Sequence, residues 1–415
     1  MSNTMGLISR MVFILSAVIS IGAANAADNP HEGTTTMGEK AWLSHGFTEA
    51  QRGSIRAACQ WGIENKFVPG GSLLIVHRGE TVFREGFGVA DLKTGRPFVA
   101  DAPCRIASIT KPHISTLMAM LAERGKLSLD DPIDKYLPCF TGVAVRGKGP
   151  ASRVPTIREL LSHTAGFPGK KPDRSEQLRM LSQGTLAGMA EALARQGLAA
   201  EPGTAFVYAT EGYRVAARIA EVATSKEFAS LMDENLLKPI GSTTATFRPS
   251  KELLAKMPAA YDRKPDGLVP LDSAERLEAL ISPLSAPTSL FSTVDDVGRF
   301  LLLHRNRGVV DGKRLVAAES LQPLYKPWRP KGAGYGLGFN ILKTDPNGVG
   351  VHIRHIGGAG TLADLDFEND VIIVLFTQVS GAKIAPFREH VLKAIQSVFA
   401  PNQQPAPESP DREGQ

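Results

Sequence analysis

Strand-like runs near both ends of the chain constrain its fold most. Residues 70–91 contain two runs of strand character, GGSLLIVH and ETVFREGFGVAD, that meet at Arg78-Gly79-Glu80. Four more runs lie between residues 335 and 379: YGLGFNIL, GVGVHIRHI, TLADLDFE and VIIVLFTQV. From Ser108 to about Arg305 the signals are mostly helical. We therefore predict an α/β chain of the α+β type, with an antiparallel sheet built from both chain ends, flanked by helices, and an inserted all-helical domain.

Helical signals stand out in several segments. Residues 48–65 are amphipathic, and Thr156-Ile157-Arg158-Glu159 forms a capping box just before an apolar run. The runs 185–196 and YRVAARIAEV also have helical character. A last amphipathic helix is expected from about Ile384 to Phe399.

These signals define one catalytic domain over residues 47–400. Its sheet part is predicted at about 47–105 and 330–400, and its helical part at about 106–330. The final residues 401–415 are rich in Pro and polar side chains, so we expect a disordered tail.

The N-terminal segment has the pattern of a secretory signal. Arg10 precedes the apolar run MVFILSAVISIGAA, and Ala24-Asn25-Ala26 places small residues at the cleavage positions. The run has about 14 apolar residues, short of the roughly 20 that a membrane span needs. We predict a signal peptide over residues 1–26, cleaved near Ala26, and a mobile leader over 27–46. The mature protein would be periplasmic or secreted, with no stable membrane span.

Composition and charge favour a soluble enzyme. Hydrophobic residues make up 43% of the chain, charged residues 21%, and the formal net charge is +5. Basic residues are scattered except for a loose group from Arg146 to Arg174, interpreted as solvated surface, so no nucleic-acid partner is expected. The three cysteines, Cys59, Cys104 and Cys139, allow one disulfide at most, and which pair would form stays open.

Ser108 and Lys111 are the candidate catalytic pair. On a helix, residues three apart are neighbours, so the Lys111 ammonium can reach the Ser108 hydroxyl. A desolvated lysine loses basicity and can accept the serine proton. Pro112 places this pair at a helix start, where backbone N–H groups favour a developing oxyanion. Composition predicts about one or two Ser-x-x-Lys matches by chance, and the second match, Ser380-Gly381-Ala382-Lys383, is interpreted as a turn.

Two downstream segments distinguish Ser108 from the chance match. Tyr208 precedes a helix, and its phenol could share the Ser108 proton as a phenolate or as a hydrogen-bond relay. His355-Ile356-Gly357-Gly358 ends a strand, where the Gly358 N–H could join that of Ser108 as an oxyanion pair. Taken alone, a core tyrosine and a glycine turn are the more common interpretations.

Other chemistries lack their residues. The chain has no Gly-x-Ser-x-Gly elbow. Adjacent Ser162 and His163 point apart, so His163 is interpreted as a loop-packing residue. His352 and His355 fall on opposite faces of a strand, so no metal site is predicted. The glycines in GAGYGLG are followed by no helix, and no cofactor is expected.

Taken together, these residues resemble the serine β-lactamase and penicillin-binding protein superfamily, in the branch of class C β-lactamases, esterases and D-peptidases. The resemblance covers roughly residues 50–398 and includes DAPCRIASITKP, LSLDDPIDKYLP, TIRELLSHTAGFP, EPGTAFVYATEGYRVAARIAE, LLKPIG, LFSTVDDVGRFL and HIGGAGTLADLDFENDVIIVLFTQ. It implies a β-lactamase/transpeptidase-like fold, with the site where the helical and sheet parts meet. It also implies that Ser108 is the acylated nucleophile, Lys111 its base and Tyr208 a second proton carrier. His355 would take the place of the third-motif lysine or histidine, and Gly358 that of the second oxyanion donor.

Two positions depart from the pattern of the branch. Thr210 stands where the branch usually has Asn, and Ile356 stands where the third motif usually has Thr or Ser. Both changes are expected to weaken recognition of a substrate's amide and carboxylate at the site that also includes His355 and Gly357. Glu211 could partly replace the lost contact to the lysine. We therefore expect a serine hydrolase acting on a small-molecule ester or related acyl substrate. The alternatives are a β-lactamase, a D-Ala-type peptidase or an acyltransferase, and, in another class, a catalytically weak peptide- or cell-wall-binding protein.

Overall fold

One antiparallel sheet joins the two ends of the described chain. The computed structural model describes residues 38–169, 184–271, 288–329 and 334–399. In chain order the strands are β1 (Gly70–His77), β2 (Glu80–Asp91), β3 (Arg96–Pro97), β4 (Cys104–Arg105), β5 (Ala144–Val145), β6 (Gly149–Pro150), β7 (Tyr261–Lys264), β8 (Gly267–Pro270), β9 (Phe291–Ser292), β10 (Val309–Val310), β11 (Lys313–Arg314), β12 (Gly334–Tyr335), β13 (Asn340–Thr344), β14 (Gly350–Gly357), β15 (Thr361–Asp366) and β16 (Val371–Phe376). The order β12-β13-β14-β15-β16-β1-β2-β3 forms the eight-stranded sheet, and the pairs β4-β9, β5-β6, β7-β8 and β10-β11 are separate. The predicted sheet architecture is confirmed.

Strand β1, from the N-terminal part of the chain, pairs in the sheet with a strand from the C-terminal part. It pairs antiparallel with β16 from Ser72 opposite Phe376 to His77 opposite Val371. On its other side β1 continues into β2 through a two-residue turn, in which Arg78 has φ 52° and Gly79 has φ 84°. Positive φ at both central residues is the turn geometry that matches the twist of a tight hairpin.

Helices fill the middle of the chain and flank the sheet. The α-helices in the described ranges are α1 (Glu39–Ser44), α2 (Glu49–Glu64), α3 (Thr110–Glu123), α4 (Ile157–Leu161), α5 (Leu186–Gln196), α6 (Thr210–Thr224), α7 (Phe228–Met232), α8 (Lys251–Lys256), α9 (Val294–Arg305), α10 (Ala318–Leu321) and α11 (Ala385–Phe399). Short 3-10 turns cover Ala107–Ile109, Ile133–Lys135, Pro138–Phe140, Gln322–Tyr325 and Gly381–Ile384, and Asp233–Leu237 is a π-helical turn. The predicted capping box is present, because the Glu159 N–H donates to Thr156 Oγ1 at 3.3 Å and the Thr156 N–H donates to Glu159 Oε2 at 2.9 Å.

Side chains on the two faces of the sheet pack into two hydrophobic clusters. Along β1, Leu73 and Ile75 belong to one cluster, whereas Leu74 and Val76 belong to the other, as the two-residue period of a strand requires. The first of these clusters includes buried residues of α2 and α11. The second includes α9 and most of the buried residues of the helical region. The sheet therefore separates the α2 and α11 layer from the helices that carry the candidate site.

The predicted mobile leader is wrong for residues 38–46. Within this segment α1 is helical, and Trp42 is fully buried. The indole N–H of Trp42 donates to the carbonyl of Thr48 at 2.9 Å, and its ring contacts Phe83 and Phe399. Burial of this large aromatic side chain helps to hold the short helix against the sheet. The predicted signal peptide, residues 27–37 and the C-terminal tail lie outside the described residues.

The predicted strand YGLGFNIL is interrupted. Strand β12 ends at Tyr335 and β13 begins at Asn340. Between them Gly338 has φ 89°, and a Cβ built there would lie 3.0 Å from the Cα of Pro112. The chain bends at this point because the backbone passes directly against the start of α3.

None of the helices in the four described ranges has the length and apolar character needed to cross a membrane.

Candidate active site

Ser108 lies in a tight turn that leads into α3. It is the middle residue of the 3-10 turn Ala107–Ile109, and α3 begins two residues later at Thr110. Ala107 has φ 50°, a left-handed conformation that is uncommon for a residue with a Cβ and is concentrated at functional sites. The hydroxyl of Thr361 in β15 donates to the carbonyl of Ile106 at 2.9 Å. The sheet therefore fixes the position of the turn that carries Ser108, the candidate nucleophile.

Lys111 is placed to take the proton of Ser108. Its Nζ lies 3.1 Å from the Ser108 Oγ, and its side chain is fully buried. The pKa of Lys111 is lowered to about 7, mainly by burial and then by the positive charge of Arg214, while the charge of Glu211 opposes the shift. A substantial fraction of Lys111 is thus neutral near pH 7, as a general base requires.

Tyr208 is the third member of this group. Its ring centroid lies 5.1 Å from the Lys111 Nζ, and its hydroxyl lies 3.4 Å from the Nε2 of His355. Although the residue is 41% exposed, burial of the phenol raises its pKa to about 12, and a hydrogen bond with Ser108 opposes the shift. Tyr208 is therefore a neutral phenol at physiological pH, which favours the predicted hydrogen-bond relay over a phenolate.

His355 faces the same group from β14. It is 1% exposed, and burial lowers its pKa to about 3, with the charge of Lys111 adding to the effect. The imidazole is neutral, so at this position it offers a hydrogen bond to Tyr208 and no positive charge.

Two glycines lie at the end of β14, and the first of them, Gly357, lies against the backbone that leads into the turn of Ser108. A Cβ on Gly357 would come within 2.4 Å of the Ile106 carbonyl oxygen and 2.1 Å of the Thr361 hydroxyl. A Cβ on Gly358 would meet nothing within 4 Å, and the Gly358 carbonyl accepts the N–H of Gly381 at 3.0 Å. We find no acceptor for the Gly358 N–H among the described residues. That N–H remains a candidate donor to an oxyanion, together with the N–H of Ser108.

The structure does not bring Ile356 into this group. Along β14, His355 faces Tyr208, whereas Ile356 packs against the cluster of α2 and α11 on the other face of the sheet. Thr210 is closer to the group as the first residue of α6, two residues after Tyr208. Among the described residues, the only hydrogen bond of the Lys111 ammonium is the one with Ser108, so Thr210 does not replace the contact expected of an asparagine.

The sequence prediction gave no catalytic role to two residues near this group. His163, predicted as a loop-packing residue, is buried, and its ring centroid lies 4.3 Å from that of Tyr208. Its Nδ1 accepts the N–H of Ala209 at 3.1 Å, which holds the backbone next to Tyr208. Arg214 was not foreseen at all, although its spacing of three residues from Glu211 is typical of a helical ion pair.

The structure also shows the surroundings of His352, Lys383 and the three cysteines. His352 bonds to Asp364 at 2.9 Å and lies on the opposite face of β14 from His355. Lys383 of the chance motif pairs with Asp262 at 2.7 Å. All three cysteines are free thiols, and burial raises the pKa of Cys104, so it is an inert core residue.

This chain is similar to known proteins in sequence and in fold. The family model described as Beta-lactamase matches residues 56–395. Esterase EstB of Burkholderia gladioli is 27% identical over 331 residues, which cover 73% of this chain and 82% of that protein. Penicillin-binding protein 4 of Amycolatopsis lactamdurans is 26% identical over 366 residues, covering 82% of this chain and 90% of that protein. Among solved structures, EstCE1, described as a hydrolase with promiscuous acyltransferase activity, matches with a TM-score of 0.73 at 20% identity, over 84% of this chain and 98% of that chain.

The chain belongs to the beta-lactamase family, as its motifs predict, and it is a serine hydrolase of that family. Enzymes of this family act on small acyl substrates.

Proposed function

We propose that this serine hydrolase cleaves carboxylic esters through an acyl-enzyme on Ser108. The observation that carries the proposal is the 3.1 Å contact between the Ser108 hydroxyl and the fully buried Lys111 ammonium. Neutral Lys111 takes the hydroxyl proton as Oγ attacks the acyl carbon, and the N–H groups of Ser108 and Gly358 stabilise the oxyanion. The proton then passes through Tyr208 to the leaving alkoxide. A water molecule attacks the acyl-enzyme, which releases the acid and restores the serine.

The preference for esters over β-lactams rests on Thr210. An activated ester needs only a nucleophile, a proton carrier and an oxyanion hole. A β-lactam or a D-alanyl peptide also presents an amide, and each unmade polar contact at a buried site costs about 1–3 kcal/mol. The threonine side chain lacks the amide group that could contact both Lys111 and such a substrate.

Turnover of two chromogenic substrates tests this proposal. We expect kcat/KM for p-nitrophenyl butyrate to exceed that for a chromogenic cephalosporin by about fivefold or more, the factor for one lost contact. Ser108→Ala should abolish both activities, and the matched Ser380→Ala should change neither. A wild type that prefers the cephalosporin would contradict the ester assignment.

Covalent labelling distinguishes an enzyme from a binding protein of the same fold. We expect intact-mass spectrometry to show one fluorophosphonate adduct per chain, absent in Ser108→Ala. With p-nitrophenyl butyrate, the acyl adduct should form and then disappear. A chain that gives no adduct with either reagent would be a binding protein.

We also propose that the chain is exported and acts outside the cytoplasm. The proposal rests on Arg10, the apolar run that follows it and the small residues before Ala27. In a bacterial host that expresses the full chain, we expect the mature protein in the exported fraction, beginning at or near Ala27. Recovery of the unprocessed chain in the cytoplasm alone would contradict export.

A further inference from the structure

A half-buried ion pair lies on the helix that flanks Lys111. Glu211 and Arg214 are one helical turn apart on α6, and Arg214 Nη1 lies 3.3 Å from Glu211 Oε1. Only 19% of the Arg214 side chain and 12% of the Glu211 side chain are exposed. The same turn of α6 carries Tyr213, whose ring centroid lies 5.7 Å from the Lys111 Nζ. The pair therefore lies on the turn of α6 that flanks Lys111, and its side chains are mostly shielded from water, which screens charges poorly there.

The other titratable groups around Lys111 are uncharged. Tyr208 lies in the loop before α6 and Tyr213 lies on α6 itself, and burial raises the pKa of both phenols. His163 lies in the loop after α4 and His355 lies on β14, and burial lowers the pKa of both imidazoles. Among the described residues, the charges that act on the Lys111 ammonium are therefore those of Glu211 and Arg214.

We propose that Glu211 and Arg214 are positioning residues that set the pH range in which Lys111 can activate Ser108. Arg214 repels a proton on Lys111, and Glu211 limits that repulsion while it holds the guanidinium in place. The inference rests on the proposed role of Lys111 as the base. Nothing in the motif pattern of the chain assigns such a role to Arg214.

The charges of Arg214 and Glu211 shift the pKa of Lys111 in opposite directions, so removing each charge should shift the pH profile in a defined direction. Arg214 lowers the pKa of Lys111 and Glu211 raises it. Without Arg214, Lys111 holds its proton to a higher pH, so activity appears only at higher pH. Without Glu211, the charge that opposes the effect of Arg214 on Lys111 is lost, so Lys111 loses its proton at lower pH. A pair with a purely structural role would not move the pH profile in opposite directions.

The same helix provides a matched control. Arg218 and Glu221 form a second pair with the same spacing of three residues, with Nη1 and Oε2 3.0 Å apart. Neither residue acts on the charge of Lys111. Arg218→Met therefore removes an equivalent arginine from α6 without removing a charge from the neighbourhood of the lysine.

The experiment measures the pH midpoint of two reactions of the full chain: kcat/KM for p-nitrophenyl butyrate and the rate of fluorophosphonate labelling of Ser108. We expect Arg214→Met to raise both midpoints by about one pH unit and Glu211→Gln to lower both by a similar amount, as expected for one unit charge at a poorly screened site. Arg214→Lys, which keeps the charge, should restore the wild-type midpoint. Arg218→Met should leave it unchanged.

The outcomes separate this inference from the ester assignment. If labelling shows the two opposite shifts but no ester is turned over, the inference holds and the ester assignment fails. If esters are turned over and the midpoints of Arg214→Met and Glu211→Gln match the wild type, the inference is wrong and the ester assignment holds. If Arg214→Met fails to fold, Glu211→Gln and Arg214→Lys still test the proposal. A pH midpoint of Glu211→Gln that equals or exceeds the wild-type midpoint would overturn it.

Discussion

The hydroxyl of Tyr208 lies 3.4 Å from the Nε2 of His355, and both groups are uncharged near neutral pH. Burial raises the pKa of the phenol to about 12 and lowers that of the imidazole to about 3. Two such neutral groups can pass a proton along their hydrogen bond, but neither of them carries a charge near neutral pH. Within this catalytic group, Lys111 is thus the residue whose protonation changes around pH 7.

This assignment predicts the pH dependence of the enzyme. The pKa of Lys111 is lowered to about 7, so the neutral form that can act as a base increases as the pH rises through that value. We expect kcat/KM for a nitrophenyl ester to rise with pH and level off above a single midpoint near 7. Initial rates between about pH 5 and pH 9 measure it. A midpoint below about 5, where carboxylates titrate, would exclude Lys111 as the controlling group.

Lys111→Arg tests the base directly. Arginine keeps the positive charge but does not deprotonate in proteins, so general-base catalysis is lost. We expect kcat to fall by about 100-fold or more. Lys383→Arg is the matched control, because Lys383 has the same spacing from Ser380 but pairs with Asp262, and its kcat should equal that of the wild type. A Lys111→Arg variant with wild-type kcat would rule out the proposed base.

Tyr208→Phe removes the relay and leaves the ring. We expect kcat to fall by about 100-fold, the lower end of the usual contribution of a proton-transfer group. Tyr213→Phe is the comparison, because that ring also flanks Lys111 but its hydroxyl donates to the carbonyl of Leu161 at 2.6 Å. Loss of that donor should lower the free energy of unfolding by about 1–3 kcal/mol and leave kcat within a few-fold of wild type. Equal losses of kcat in both variants would contradict a specific proton-relay role for the Tyr208 hydroxyl.

Gly357→Ala and Gly358→Ala compare a crowded glycine with an open one. A Cβ at Gly357 would collide with the carbonyl of Ile106, the residue just before the turn that carries Ser108. We expect Gly357→Ala to lower the free energy of unfolding by about 1–3 kcal/mol, the usual cost of overpacking, and to lower kcat as the turn shifts. Gly358→Ala should have the same free energy of unfolding as the wild type, because the added Cβ would meet no atom within 4 Å. Thermal unfolding and ester turnover measure both, and equal stability of the two variants would contradict the packing argument.

Local signals predicted much of the fold. The capping box at Thr156 and the hairpin at Arg78-Gly79 each depend on neighbouring residues, and both have the geometry that the sequence indicates. Helix α1 was missed because its order comes from the burial of Trp42 against residues as distant as Phe399. The break at Gly338 was also missed, since it depends on the approach of Pro112 across the fold.

In the candidate site, too, features that depend on neighbouring residues were predicted, and features that depend on distant residues were not. The motif spacing predicted that Ser108 and Lys111 would meet, and the structure has them 3.1 Å apart. The lowered pKa of Lys111 needs burial and a neighbouring Arg214, which the sequence places 103 positions away, the difference of the two residue numbers. For Ile356 a signal was available, because the alternation that separates His352 from His355 also separates Ile356 from His355.

The position of Ile356 changes which substitution should alter substrate preference. Both Thr210 and Ile356 depart from the branch pattern, but only Thr210 lies on the same side of the sheet as Tyr208, at the start of α6. An asparagine at position 210 adds an amide that can contact Lys111 and a substrate amide, a contact worth about 1–3 kcal/mol. We expect Thr210→Asn to raise the ratio of kcat/KM for a chromogenic cephalosporin to that for p-nitrophenyl butyrate by about fivefold to a hundredfold. Ile356→Thr is the control and should leave the ratio within about twofold of wild type, because its side chain packs on the opposite face of β14. If Ile356→Thr raised the ratio as much as Thr210→Asn, the orientation of β14 would not determine which of these positions contacts the substrate.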